Sequence, residues 1–550
     1  MKVQRNKNTT RESALLQHWS TYAYYGLLLL VVLFFGFIRF RLRDAPLERD
    51  EGEYAYAGQL ILQGIPPYQL AYNMKLPGTY AAYALVLAAF GQTSAAIHIG
   101  LLLINAATTV LVYFLGRRLS GQLGGVVAAA TYALLSASPS MLGLAGHATH
   151  FVVLPALGGI LLLLKAINAH KPQLFFWSGL LLGLAFLMKQ PGILFLFFAV
   201  LYLLKTEWKR PMDWAGLTKR MGSLLSGAAL PFALTCVVLL AAGVFKAFWF
   251  RTFSYAQQYA ARLSLAEGFS ILGDMISIVT QPATFVWIIA AVGITALFWN
   301  RDFRTHAAFI AGFAVFSFLA VCPGFYFRQH YFILLLPAAA LLAGVAIDSA
   351  TQLARRNQVT RLLAGLPTLV FLGAFLASVV EQRVLFFEMT PTQAVRDTYA
   401  SNPFPEAVTI ANYLAAHMPA DGRIAILGSE PEIYFYSRRH SASGYIYVYP
   451  LMEDQPYAMT TQKEMIGDIE KTDPEFLLFV EISFSWLARP GSPQLESFLS
   501  WADRYISGHY QLVGIADIIG PDQTEYRWDD EARTYQPQSG NLVRVFRRNN

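Results

Sequence analysis

Apolar runs of about 17 to 22 residues recur along the first 380 positions of this chain, near 22–40, 94–115, 121–138, 149–166, 173–188, 191–204, 222–243, 283–299, 306–322, 331–348 and 362–380. A helix needs about 20 such residues to cross the hydrocarbon core of a bilayer. In lipid every backbone polar group must find its partner inside the segment, which leaves helices as the way for such runs to fold. They predict a polytopic α-helical membrane protein with about 11 transmembrane helices. Composition agrees: of 550 residues 55% are hydrophobic and 14% charged, too apolar for a soluble globule and too long for one compact domain.

Positive residues set the orientation of such a chain. With the N-terminus inside, Lys2, Arg5, Lys7 and Arg11, then Arg117 and Arg118, Lys165 and Lys171, the cations from Lys205 to Arg220, Arg301 and Arg304, and Arg355, Arg356 and Arg361 all fall on the cytoplasmic side. An odd number of spans then places residues 385–550 outside. The expected location is the bacterial inner (cell) membrane, with a cytoplasmic N-terminus and an extracytoplasmic C-terminal domain. The formal charge of +7 is mostly this topological signal. A nucleic-acid partner is not expected, because no basic stripe lies on a soluble face. Residues 22–40 are too long and uncut for a signal peptide and read as an anchor. The cysteines, Cys236 and Cys322, fall in or at the end of spans, which excludes a disulfide framework and a cysteine zinc site.

The first external loop, 41–93, reads as structured. Tyr54, Ala57, Ile61 and Leu62 recur at helical spacing over 50–63, a second apolar stretch spans 77–90, and Gly64-Ile65-Pro66-Pro67-Tyr68 breaks between them. Two short interfacial helices with apolar faces toward lipid are expected. Residues 244–282 read as a longer external loop. Beyond 385 the pattern changes: 423–427 and 476–480 read as buried strands, and 404–417, 431–437 and 494–506 as helices. That alternation predicts a small soluble α/β domain. The expected division is a membrane domain over 1–384 and an extracytoplasmic α/β domain over 385–550.

An acidic cluster, Glu48-Arg49-Asp50-Glu51-Gly52-Glu53-Tyr54, follows the first span. Carboxylates contribute little to orientation, so they have another task. Asp50 and Glu53 are spaced as the ends of a capping box, which accounts for both but not for Glu51 or Arg49. A carboxylate at a helix N-terminus stays ionised, as suits a base that accepts a hydroxyl proton while the bond to a sugar carbon forms. Lys75, Lys189, Arg251 and Arg328 sit in external loops near the membrane surface, where each can snorkel or, together, hold a phosphate. His147 and His150 are spaced to share a helical face with a metal, but no clear third ligand accompanies them, so a metal is disfavoured and no cofactor is required. His330 and Tyr331 precede a late span. Phe248-Trp249-Phe250, Phe253 and Tyr255 fit an interfacial belt or a surface that holds a sugar or a lipid. The lone glycine at Gly428-Ser429-Glu430-Pro431-Glu432 is not a phosphate loop.

Arg49-Asp50-Glu51-x-x-Tyr54-Ala55 directly after the first span is similar to the Asp-Glu motif of the GT-C glycosyltransferases that use polyprenyl-phosphate sugars, the superfamily of protein O-mannosyltransferases and the lipid A aminoarabinose transferase. The resemblance covers nearly the whole chain. Gly64-x-x-Pro67-Tyr68 and Lys75-x-Pro77 resemble the family's Tyr-x-Asp and Lys-Pro-Pro elements. The stretch Gly183 to Gly192 resembles its Gly-Leu-Ala…Lys-Gln-Pro segment, Phe248-Trp249…Tyr255 its long external loop, and Arg328-x-His330-Tyr331…Pro337 its tyrosine-proline approach to a late span. Gly428-x-Glu430-Pro431-Glu432-Ile433-Tyr434 is similar to the exported part of bacterial members. Leu70 and His150 stand where relatives often carry acids, which speaks against a two-carboxylate or metal-assisted variant.

The resemblance implies a GT-C fold and transfer of one sugar, with inversion, from a polyprenyl-phosphate donor to a hydroxyl on a lipid, glycan or protein. It implies Asp50 as general base and Lys75 as a contact to the donor phosphate, with Lys189 and Arg328 beside it. Arg49, Glu51, Tyr54, Tyr68, His147, His150, Arg251, Tyr255, His330 and Tyr331 complete the candidates. Membrane lipids are the remaining partners. The alternatives are a lipid-linked-glycan transporter or flippase, for which the sequence lacks paired repeats, and a non-catalytic assembly subunit.

Overall fold

The computed structural model describes residues 2–208, 212–356 and 360–549. Of the topology-setting cations, Lys209 and Arg210 lie outside the described residues, as do the side chains of Lys2, Arg5, Lys7, Arg11, Arg301 and Arg361. Every apolar run named above is helical. Seven helices among the described residues are long and apolar enough to cross a membrane, and Pro172–Met188, Thr284–Trp299 and Ala307–Leu319 are shorter apolar helices. The 44-residue helix Ser94–Ala137 carries two of the expected runs, broken where Ser120 and Gly121 leave helical geometry and Gly121 takes φ 75°. Close packing of these helices depends on glycine. A Cβ on Gly344 would lie 2.3 Å from the Gly124 carbonyl oxygen, and one on Gly179 would lie 1.9 Å from that of Leu224.

The segment expected as a loop over 244–282 is mostly helical. Phe245–Ala260 and Leu265–Thr280 meet at 89° and together are apolar enough for a broken span. The second arm begins at a capping box in which Ser264 and Glu267 exchange side-chain and backbone bonds.

The C-terminal part is built on one six-stranded sheet: β1 (Arg423–Leu427), β2 (His440–Ser441), β3 (Phe476–Val480), β4 (Tyr510–Gly520), β5 (Gln523–Trp528) and β6 (Leu542–Arg548), in the order β2-β1-β3-β6-β4-β5. β1 pairs in parallel with β2 and β3, and the other pairings are antiparallel. The near-continuous apolar runs of β1 and β3 match their central, two-sided burial.

Helix Arg49–Leu62 packs between helix Gly78–Phe90 and helix Glu432–Ser437 of the C-terminal part. Residues Glu51 through Leu60 are buried. The expectation of a lipid-facing interfacial helix is therefore corrected, because the C-terminal part covers that face. Gly52 permits the approach: a Cβ there would lie 2.6 Å from the Glu432 backbone nitrogen and Cβ.

Candidate active site

The start of helix Arg49–Leu62 orders the acidic cluster. Its N-cap is Glu48, whose carboxylate accepts the Glu51 N–H at 2.9 Å, while the Glu51 carboxylate accepts the Glu48 N–H at 3.4 Å. The capping box is Glu48/Glu51, which corrects the Asp50/Glu53 assignment. Any acid of this cluster could cap, and the extended backbone at Glu48 decides which one does. Asp50 is left free of capping, in the first turn where the helix dipole favours its charge.

Asp50 is about a quarter exposed, and cations and imidazoles surround it. The Lys75 ammonium lies 2.8 Å from Asp50 Oδ1 and 2.8 Å from Glu53 Oε2, with its nitrogen 4.5 Å from the Tyr54 ring centre. Burial opposes the Asp50 charge, but Lys75 and the neighbouring imidazoles outweigh it and hold the carboxyl well below the usual carboxylate range. Glu53 is fully buried and also accepts bonds from Asn73 and Tyr80, and burial still pushes its carboxyl up. It is a ligand of Lys75 rather than a cap. His147 Nδ1 lies 3.5 Å from Asp50 Oδ2, and His330 Nε2 lies 4.0 Å from the same oxygen. The two imidazoles stack with centres 4.1 Å apart and planes 11° from parallel. Asp50, His147 and His330 offer donor atoms within 4.8 Å of one another, so they are the group that could hold a metal. The third ligand missing from the His147/His150 pair comes from elsewhere in the chain, and His150 is not part of the set.

A cavity of about 250 Å³ opens beside Asp50. It brings together Lys75, Lys189, Arg328, His330, Tyr255 and Tyr331. The Lys189 nitrogen lies 4.0 Å from the Tyr331 ring centre, and burial lowers its pKa to about 7. Neither Lys189 nor Arg328 forms an ion pair among the described residues.

Other candidates lie elsewhere. Arg251 donates to the Tyr445 hydroxyl at 2.8 Å, has Glu464 at 3.7 Å, and ties the broken helix pair to the C-terminal part outside the cavity. Tyr68 is buried, with φ 67°, and donates to the Lys75 carbonyl at 2.7 Å, supporting that lysine from behind. Arg49 binds Glu430 at 2.9 Å. Glu51 accepts from the Gly146 N–H and lies 3.1 Å from His98 Nε2 beside a separate small cavity. His150 is fully buried in helix Ala148–Ala169.

The sequence reading missed the C-terminal wall. The Tyr447 hydroxyl donates to the Arg49 carbonyl at 2.9 Å and lies 3.4 Å from Asp50 Oδ1. Tyr449, Pro450, Glu453 and Leu487 line the same cavity. The available signal was the alternation of Tyr445, Tyr447 and Tyr449, three aromatics at a spacing of two in a stretch that had been given no role.

Residues 75–239 match the family described as dolichyl-phosphate-mannose-protein mannosyltransferase, a stretch that contains Lys75, His147 and Lys189. No curated protein matches the chain. Among solved structures, the chain is similar to ArnT from Cupriavidus metallidurans bound to undecaprenyl phosphate, at 15% identity and TM-score 0.59, covering 95% of this chain and 98% of that one. It is similar to the apo state of the same protein at 16% identity and TM-score 0.56, covering 96% and 98%. It also resembles the archaeal oligosaccharyltransferase AglB from Archaeoglobus fulgidus in complex with an inhibitory peptide and a dolichol-phosphate, at 12% identity and TM-score 0.51, covering 93% and 75%. The fold is the GT-C fold of an integral membrane protein.

Proposed function

We propose that this chain, with its GT-C fold, is a membrane glycosyltransferase that moves one sugar from a polyprenyl-phosphate donor to a hydroxyl of a lipid, glycan or protein on the extracytoplasmic face. The observation that carries the reading is the cavity where Asp50 meets two cations without carboxylate partners, Lys189 and Arg328. Unpaired cations beside a carboxylate suit a reaction in which an anion leaves while a proton is taken up. Lys75 lines the same cavity while it holds Asp50 and Glu53, which places its charge beside the departing phosphate. The cavity of about 250 Å³ has room for a sugar beside Asp50.

In this reading the acceptor oxygen attacks the anomeric carbon in line with the departing phosphate. The new carbon–oxygen bond forms as the anomeric carbon–phosphate oxygen bond breaks, and the electron pair leaves on the phosphate. Lys189, Arg328 and Lys75 stabilise that charge. The acceptor proton passes to Asp50, whose low pKa suffices because the hydroxyl becomes acidic only as its bond forms. One displacement inverts the anomeric centre. Glu51 and Glu53 are committed to Gly146 and His98 and to Lys75 and Tyr80, so neither serves as a glycosidase-type second carboxyl. The membrane part would comprise residues 1–384 and hold the prenyl tail, with the extracytoplasmic part, 385–550, closing the site from above.

The test is reconstitution of the purified protein in liposomes with undecaprenyl-phosphate hexoses and pentoses and an extract of acceptor lipids and proteins. The expected products are undecaprenyl phosphate and an acceptor glycosylated with inverted anomeric configuration. Retention of configuration, or movement of the intact lipid-linked sugar without bond cleavage, would contradict the reading.

A further inference from the structure

The cavity at Asp50 has walls of different chemistry. Lys189 and Arg328 line it together with Ala320 and Leu334, and Arg328 lies near enough to Glu453 to favour its charge. The wall from the C-terminal part carries Tyr447, Tyr449 and a carboxylate, Glu453. The Glu453 side chain is about 10% exposed and has been given no role so far. It accepts the Tyr255 hydroxyl at 2.7 Å and pairs with Arg262 at 2.9 Å.

A carboxylate is an unexpected residue in a cavity that receives a phosphate. Like charges oppose binding unless the group has a second purpose. A prenyl tail offers a carboxylate nothing to accept. A sugar offers several hydroxyl donors, and it combines those polar edges with apolar faces that rest on aromatic rings such as Tyr447 and Tyr449. A carboxylate has about four acceptor positions. Tyr255 and Arg262 take one each, which holds Glu453 in place in the cavity wall and leaves acceptor capacity beyond these two bonds.

We propose that Glu453 accepts hydrogen bonds from the hydroxyls of the donor's sugar, so that the C-terminal part selects which sugar is transferred. This rests on the polyprenyl-phosphate donor reading above. It gives the C-terminal part a direct role in specificity in addition to covering the site.

The affinities of wild-type protein, Glu453→Ala and Glu453→Gln are measured in detergent for undecaprenyl phosphate and for undecaprenyl-phosphate hexoses and pentoses. The wild type should bind one sugar-bearing lipid at least about tenfold more tightly than undecaprenyl phosphate, the scale of one or two charge-assisted hydrogen bonds. Glu453→Ala should bind undecaprenyl phosphate within about twofold of wild type yet lose that preference, and Glu453→Gln should keep part of it. Equal weakening toward both lipids would make Glu453 only a latch between Tyr255 and Arg262 and overturn the proposal. A preference that survives Glu453→Ala, or is absent from the wild type, overturns it as well. A wild type that binds none of these lipids removes the donor reading itself, and this proposal with it.

Discussion

Lys75 Nζ lies 2.8 Å from Asp50 Oδ1 and the same distance from Glu53 Oε2, so one ammonium bridges two carboxylates that differ in exposure, about a quarter for Asp50 and none for Glu53. Removing the lysine leaves Glu53 buried without its counter-ion, so its carboxyl must either stay charged at a cost or take up a proton. Loss of one partner from such a buried pair costs about 3–5 kcal/mol. Lys75→Met should therefore lower thermal stability in detergent strongly, and the double variant Lys75→Met/Glu53→Gln should recover much of the loss. If the double variant melts no higher than the single one, Glu53 is not held by Lys75.

Lys189 gives a pH dependence with a definite sign. Burial lowers its pKa to about 7, so in the free protein it is charged below neutrality and increasingly neutral above it. A bound phosphate diester keeps a constant charge over this range and raises the lysine pKa. The contribution of Lys189 to donor affinity is thus complete below about pH 7 and lost above it, by up to about tenfold per pH unit until the bound-state pKa is reached. Titration of undecaprenyl-phosphate-sugar binding from pH 6 to 9 should show this fall. Lys189→Arg, which keeps its charge, should flatten the curve, and a wild-type curve as flat as that variant's would remove Lys189 from the phosphate contacts.

Gly52 tests whether the contact beneath the C-terminal part matters. A Cβ at this position would meet the Glu432 backbone at 2.6 Å, closer than any side chain allows. Gly52→Ala should destabilise the protein by about 1–3 kcal/mol through overpacking. It should also increase proteolytic cleavage near residue 385 and reduce transfer while membrane insertion continues. Normal stability in Gly52→Ala would mean that the two parts are not packed this closely.

Asp50, His147 and His330 converge well enough to hold a metal, and Lys75 pairs with Asp50 beside them. The account requires no metal, so transfer should persist in EDTA. Loss of activity in EDTA with recovery on adding a divalent cation would make these three residues ligands and replace the single-base mechanism with a metal-assisted one.

The membrane helices were legible because the bilayer imposes their length, and every expected run is helical. Strands β1 and β3 were legible because both faces are buried and their sequences, RIAIL after its exposed Arg423 and FLLFV, are apolar. β5 was not, since QTEYRW is a polar, half-covered strand whose place comes from pairing with β4. Asp50 stood out by its position after the first span, but neighbouring acids compete for the same cap, and local sequence could not assign it. Lys75 stood out as a cation in the first external loop, whereas its bond to Glu53 depends on how the chain folds back over 22 residues. Tyr447 lies 397 residues from Asp50, and only the docking of the C-terminal part brings them together.

The central claim is that Asp50 takes the acceptor's proton, and Asp50→Asn tests it most directly. The amide keeps the size of the carboxylate and cannot serve as the base. Sugar transfer from an undecaprenyl-phosphate donor, followed in liposomes beside binding of the same donor, should fall about 10²–10⁴-fold in the variant while donor binding remains close to wild type. Transfer by Asp50→Asn at near the wild-type rate would contradict the account.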